Sequence, residues 1–274
     1  MKKTFLSLIG FARFFCFWIW AVFNAILALF NPGGKIGNAQ FRFLMRGLCV
    51  ISGIRVRVRG ELSKARPLLL VGNHISDYEF AVLPAALGAN FFGKSEIAKM
   101  PFVGWISKKL GVQFISRDPR TAAEATRNIR EYTAQADWPM VIFPEGTSTN
   151  GAYVHPFKSA LFSMVEPQIN GDPDAVQFTI QPFVMYFRDY RGRKLSERTM
   201  AEDYASFDSK KMLQGPNDVK MRGDFVQVLH MMKLGGITVE IELLPPPPLA
   251  GIKDRKELAS MLHEIISTKY MKNK

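Results

Sequence analysis

The sequence predicts an α/β fold: a mixed, mostly parallel central sheet flanked by helices, with an N-terminal apolar helical membrane segment. Three observations predict it. Short apolar runs at 67–71 and 139–143 read as strands buried on both faces. Helical stretches alternate with these runs, the pattern of an α/β core. Residues 5–30 carry a single charge, Arg13, and a helix of roughly 20 apolar residues is long enough to cross a bilayer. The 274 residues are therefore divided into a membrane-anchoring apolar segment, 1–52, and an α/β domain, 53–274.

In the first segment the block from Phe14 to Phe23 is wholly apolar. A secretory signal is the rival reading. Its apolar core is shorter than this one, and Asn31-Pro32-Gly33-Gly34 follows where a small-residue cleavage site would stand. Lys2, Lys3 and Arg13 lie on one side, Lys35, Arg42 and Arg46 on the other, so charge bias sets no topology. A second semi-apolar stretch, 41–54, is long enough to return as an interfacial helix. The Trp and Phe density argues against a helix pair buried in a soluble fold.

Residues 54–60 alternate strictly, Ile-Arg-Val-Arg-Val-Arg-Gly, a strand with one arginine face. That face either meets lipid phosphates or is solvated. Further strands are predicted at 67–71, 89–92, 112–115, 139–143, 176–187 and 237–243. Asp118-Pro119 starts a helix that runs to about 136, with Asp as cap and Pro in the first turn. Residues 158–165 read as helical, 188–221 as polar and irregular, and 224–234 as a helix closed by Gly235-Gly236. Pro245 to Pro248 form a stiff stop. An amphipathic helix from Asp254 to about 272 closes the chain, with Leu258, Leu262, Ile265 and Ile266 on one face.

Composition narrows the partner. Lys and Arg number 36 against 24 Asp and Glu, a net charge of +12. Such an excess favours nucleic acid or an anionic membrane surface. There is neither zinc-finger spacing nor an aromatic ribonucleoprotein signature, so no nucleic acid is expected and the membrane surface leads. The two cysteines, Cys16 and Cys49, imply no disulfide framework and no metal cluster, which agrees with a cytosol-facing protein.

The chemistry centres on Asn73-His74-Ile75-Ser76-Asp77-Tyr78-Glu79. His74 follows a buried strand and precedes a helix, so it stands on an exposed loop of a rigid scaffold. Ser76 and Glu79 fit a capping box, Ser at the N-cap and Glu three residues on. Equally, a carboxylate can hold His74 Nδ1–H and leave Nε2 to take a proton from a hydroxyl. Positions five apart are not neighbours on a regular helix. Glu79 therefore meets His74 only if His74 lies off the helix, and Asp77 is the closer partner if the helix begins earlier. Spacing does not choose between them. His155 reads as structural or at a pocket rim, and His230 and His263 as ordinary. A metal site of His74, Glu79 and His155 would need an unusual geometry, so no metal is expected.

These residues resemble the first motif of the glycerolipid acyltransferases, the 1-acylglycerol-3-phosphate acyltransferase family, whose pattern is Asn-His-x4-Asp; here Glu79 replaces the Asp. Lys94-Ser95-Glu96, Pro101-Phe102-Val103-Gly104, Gly111 and Ile115-Ser116-Arg117 resemble the second motif. Phe143-Pro144-Glu145-Gly146-Thr147 resembles the third, and Gln181-Pro182-Phe183-Val184-Met185-Tyr186 the fourth. Four motifs in order form a specific signal where one would be weak. Many members carry arginine directly after the third motif; this chain has Ser148. The continuation from Val154 to Phe162 still resembles the family, in a branch that includes lyso-ornithine-lipid and lysophospholipid acyltransferases.

The resemblance implies a membrane-associated O-acyltransferase. It implies acyl-CoA or acyl carrier protein as donor, no further cofactor, and a lysophospholipid acceptor, first of all 1-acylglycerol-3-phosphate. His74 is the expected base, with Glu79 or Asp77 orienting it. Lys94, Arg117, Glu145, Gly146 and Thr147 are the expected substrate-binding residues, with Arg117 the expected anion contact because arginine is missing at 148. A lyso-ornithine-lipid acceptor and a non-catalytic membrane-binding module are the alternatives. The expected location is the cytoplasmic face of the inner (plasma) membrane. A histidine near pKa 6.5 suits removal of an alcohol proton. Backbone N–H groups of the Gly146 turn suit a tetrahedral oxyanion. Glu145 either orients the acceptor hydroxyl or holds the loop.

Overall fold

The computed structural model describes residues 2–94, 98–99, 103–115, 122–189, 191–200 and 236–274. Two helices open the chain, α1 (Lys2–Leu29) and α2 (Gly34–Ser52). They run antiparallel. Trp20 lies flat on Gly47 and its indole N–H donates to Leu44 O at 2.9 Å, while Gln40 Nε2 donates to Asn24 O at 2.7 Å. Arg13 reaches the α2 C-cap, where its Nη2 stands 2.7 Å from the place a Cβ on Gly53 would take. A cation at that helix end meets the carbonyls left unpaired by the last turn.

The body contains β1 (Ile54–Arg59), β2 (Leu68–Gly72), α3 (Glu79–Leu87), β3 (Asn90–Lys94), α4 (Val103–Lys109), β4 (Gln113–Ile115), α5 (Ala122–Gln135), β5 (Met140–Ile142), β6 (Thr179–Asp189), β7 (Ile237–Leu243) and α6 (Arg255–Asn273). All seven predicted strands are found, in one sheet of order β1-β7-β6-β2-β5-β3-β4. The β6–β7 pair is antiparallel and the other pairings are parallel. β2 is buried at every position and β6 at nearly every one. This is why both read as continuous apolar runs instead of alternating ones. α6 covers one face through Leu258, Leu262 and Ile266, and Asp254 caps it by accepting from Lys256 and Glu257 N–H.

Two expectations need correction. The second apolar stretch begins at Gly34, not 41, and docks on α3. Arg42 and Arg46 donate to Ala86 O and Ala85 O, and Asn38 to Gly88 O, satisfying carbonyls at the α3 terminus. The arginine face of β1 is partly paired, since Arg57 and Arg59 lie 3.7 and 3.5 Å from Glu240 of β7. The expected helix at 158–165 is present, as a 3₁₀ helix over Ser159–Val165. Asp118-Pro119 and the 224–234 helix lie outside the described residues.

Candidate active site

β2, β5 and β6 are neighbours and parallel, with Val71 opposite Ile142 and Gly72 opposite Phe183. Their carboxyl ends therefore open at one edge of the sheet, the edge where open α/β sheets bind ligands. Gly72 has no room for a side chain: a Cβ would lie 2.3–2.6 Å from the Phe183 ring. Beyond it, Asn73 turns inward. Its Nδ2 donates to Met185 O at 3.1 Å and its Oδ1 accepts from Met185 N at 2.8 Å. The side chain thus replaces one rung of the ladder and fixes where the next residue leaves the sheet.

That next residue is His74. Both backbone groups are held by the loop after β5. Its N–H donates to Glu145 Oε1 at 2.6 Å, and its carbonyl accepts from Thr149 N at 2.8 Å and Thr149 Oγ1 at 3.1 Å. Its ring stacks on Phe143, with centroids 4.5 Å apart and planes at 17°, and meets the edge of Phe80. Nδ1 lies 2.5 Å from Glu79 Oε2. The other oxygen of Glu79 accepts from Ile75 N at 2.6 Å and Ser76 N at 2.9 Å. The histidine lies off the helix, so the five-residue spacing closes. Glu79 serves the imidazole with one oxygen and the loop before α3 with the other; the expected cap is corrected, since α3 begins at Glu79 with Tyr78, not Ser76, at its N-cap.

Glu79 is fully buried, and the His74 side chain is 12 % exposed. With Nδ1 engaged, Nε2 is the nitrogen available to a substrate. Burial by itself lowers the imidazole pKa. The charge and hydrogen bond of Glu79, with the charges of Asp77 and Glu145, outweigh burial and hold the pKa above its ordinary 6.5. Asp77 therefore acts on the ring through its charge, while Glu79 makes the contact.

The Phe143–Gly146 stretch is a turn closed by Gly146 N–H to Phe143 O at 3.0 Å, with Pro144 at its second position. Gly146 has φ +70°, and a Cβ there would stand 2.6 Å from Lys158 Nζ. Its own N–H is spent inside the turn, so it is not among the turn amides open to an oxyanion. Glu145 is 2 % exposed, and both of its oxygens accept backbone N–H groups, from His74 and from His155 at 2.7 Å. Of its two readings, the geometry supports the loop tether. Burial pushes its carboxyl up to about 7 against the lowering by those two bonds and by His74. Among the described residues, Thr147 Oγ1 makes only a long bond to Ser148 O. Lys94 ends β3; its side chain and the whole of Arg117 lie outside the described residues.

Two groups on α6 and the residue that follows it brace the same loop. Tyr270 Oη donates to Gly151 O at 2.6 Å, Lys274 Nζ donates to Ala152 O at 2.6 Å, and His263 Nε2 lies 3.1 Å from Val154 O. Sequence reasoning passed over Thr149, Phe143 as a stacking partner, and the bracing role of His263. Each contact joins residues far apart in the chain, and no local pattern signals it.

The model of the Acyltransferase family matches residues 54–186. A 1-acyl-sn-glycerol-3-phosphate acyltransferase of Neisseria gonorrhoeae is 30% identical over 199 residues, covering 73% of this chain and 68% of its own. The chain belongs to the glycerolipid acyltransferase family. A lyso-ornithine lipid O-acyltransferase of Rhizobium meliloti (strain 1021) is 25% identical over 222 residues, 81% of this chain and 71% of its own. The crystal structure of the 1-acyl-sn-glycerophosphate (LPA) acyltransferase PlsC of Thermotoga maritima shares the fold, with a TM-score of 0.60 at 16% identity, over 99% of this chain and 97% of that one. As a glycerolipid acyltransferase, the chain transfers acyl groups to lysolipid-type acceptors, and the first and third motifs meet at His74.

Proposed function

We propose that this chain is a membrane-associated O-acyltransferase that moves a fatty acyl group from a thioester, acyl-CoA or acyl carrier protein, to the free hydroxyl of a lysolipid. The observation that carries the reading is the His74–Glu79 pair at 2.5 Å, with Nε2 left for substrate. Nε2 takes the hydroxyl proton as the oxygen attacks the thioester carbonyl. The imidazolium formed is stabilised by Glu79. The tetrahedral intermediate then expels the thiolate, which recovers the proton from His74, leaving an ester and a free thiol.

The membrane part of the reading rests on α1. Leu8–Leu29 is long and apolar enough to cross a bilayer, and 17% of it is buried. Yet from Arg13 onward the helix lies along α2, which is docked on α3. The catalytic body therefore sits beside α1 and not at its end. This favours a helix lying in the interface, with Phe11, Phe15, Trp18, Ile19, Val22 and Ile26 turned to lipid. Asp189, at the carboxyl end of β6, pairs with Ile237, and Ile237 pairs with Ile54. Arg13 at Gly53 thus stands at the same end of the sheet as His74, which would bring the site to the membrane surface. The cytoplasmic face of the plasma membrane is the expected side.

Ser148 in place of an arginine, together with the similarity to lyso-ornithine lipid O-acyltransferases, favours a lyso-ornithine lipid as acceptor over 1-acylglycerol-3-phosphate. The test is transfer from labelled acyl-CoA and acyl carrier protein to a panel of lysolipids, with wild type beside His74→Ala. Wild-type rates in His74→Ala would remove the mechanism. Turnover of 1-acylglycerol-3-phosphate in preference to lyso-ornithine lipid would reverse the choice of acceptor.

A further inference from the structure

Lys158 occupies a distinctive place beside this site. Its backbone N–H donates to Pro144 O at 2.8 Å, which ties it to the turn whose Phe143 stacks on His74. Its side chain then runs back across Gly146: a Cβ on that glycine would lie 2.9, 3.0 and 2.6 Å from Lys158 Cδ, Cε and Nζ. The missing side chain at Gly146 is what lets the ammonium lie on the turn. Lys158 is exposed and has no ion pair among the described residues. The neighbouring carboxylate, Glu145, spends both oxygens on backbone N–H groups. One positive charge without an ion pair among the described residues therefore stands on the turn that carries Phe143, the ring stacked on His74. Two residues past Gly146, Ser148 is 1% exposed, and its hydroxyl has no hydrogen-bond partner among the described residues.

We infer that the Lys158 ammonium receives the anionic head-group oxygens of the acceptor lysolipid. The inference rests on the acyl-transfer reading above and deepens it. A compact ammonium with rotatable donors accepts a carboxylate or a phosphate without the bidentate geometry a guanidinium demands. An ornithine head offers the first and a glycerol phosphate head the second, so the shared chemistry is an anionic oxygen cluster near the attacking hydroxyl.

The test is steady-state kinetics of the full chain in detergent with three acceptors: lyso-ornithine lipid, 1-acylglycerol-3-phosphate and an uncharged monoacylglycerol. Lys158→Met is expected to raise KM for the anionic acceptors about ten- to a hundredfold, the loss of one charge-assisted hydrogen bond. It should leave kcat and the KM for monoacylglycerol little changed. Lys158→Arg should restore most of the loss, and the thermal midpoint of both variants should match wild type. A KM effect confined to one anionic acceptor identifies the head group and supports the inference. Unchanged KM for both anionic acceptors overturns it. So does an equal fall in kcat for all three acceptors at constant KM, which would put the ammonium on the reaction's oxyanion. Wild-type protein inactive on every acceptor removes the acyl-transfer reading itself, an outcome distinct from either.

Discussion

His74 Nδ1 and Glu79 Oε2 stand 2.5 Å apart, and the second oxygen of the same carboxylate accepts the N–H groups of Ile75 and Ser76. One buried side chain therefore orients the base and ties down the loop that leads into α3. Glu79→Gln removes the charge that stabilises the imidazolium and sets the tautomer. With general-base catalysis contributing about 10²–10⁴ in rate, kcat should fall about a hundredfold or more. Asp77→Asn removes a charge that acts at a distance and should cost less than about tenfold. Purified variants compared in one acyl-transfer assay decide this; equal losses would sink the partner assignment.

The pH profile follows from the same pair. Nε2 must be unprotonated to accept a proton, so kcat/KM should rise along an acid limb with its midpoint above 6.5, because the carboxylates hold the His74 pKa up. Glu79→Gln leaves the opposing pull of burial and should move that limb to lower pH. An unmoved limb in the variant would mean that another group is being titrated.

Glu145 has a stability signature of its own. Its folded pKa, about 7, lies above the ordinary 4.5. Between those values the folded state binds a proton that the unfolded state has released. The group's contribution is thus fully present below 4.5 and is lost as pH rises towards 7. Glu145→Gln should flatten this part of the pH dependence of denaturant unfolding. It should also lower stability at every pH, since an amide offers one acceptor oxygen where two backbone N–H groups need one each. An unchanged slope would show that the carboxyl does not titrate in that range.

Gly72→Ala should destabilise by about 1–3 kcal/mol, because the added methyl meets the Phe183 ring and overpacks a filled core. Phe183→Leu in the same chain should recover part of the loss. A thermal midpoint unaffected by the single change would show that the ring moves aside freely.

Much of this was legible in the chain. The apolar runs at 67–71 and 139–143 declared buried strands because strands covered on both faces have no solvent side to alternate with. His74 stood out because it breaks from such a run into polar residues. Its carboxylate was not legible, since Glu79 fits a local capping pattern as well as a five-residue contact. Only the off-helix position of His74 decides for the contact. Glu145 was equally ambiguous, because whether a carboxylate faces substrate or backbone depends on where His155 returns, ten residues later.

By itself, then, the sequence determined the α/β class, the apolar start and the histidine, all carried by local periodicity and residue type. Tertiary structure decided which oxygen meets which nitrogen. It alone brought residues 73 and 185, 74 and 149, and 151 and 270 together. These contacts join loops to a strand, to one another and to the last helix, between residues far apart in the chain. Their geometry follows from sheet order, and no stretch of residues encodes that order alone.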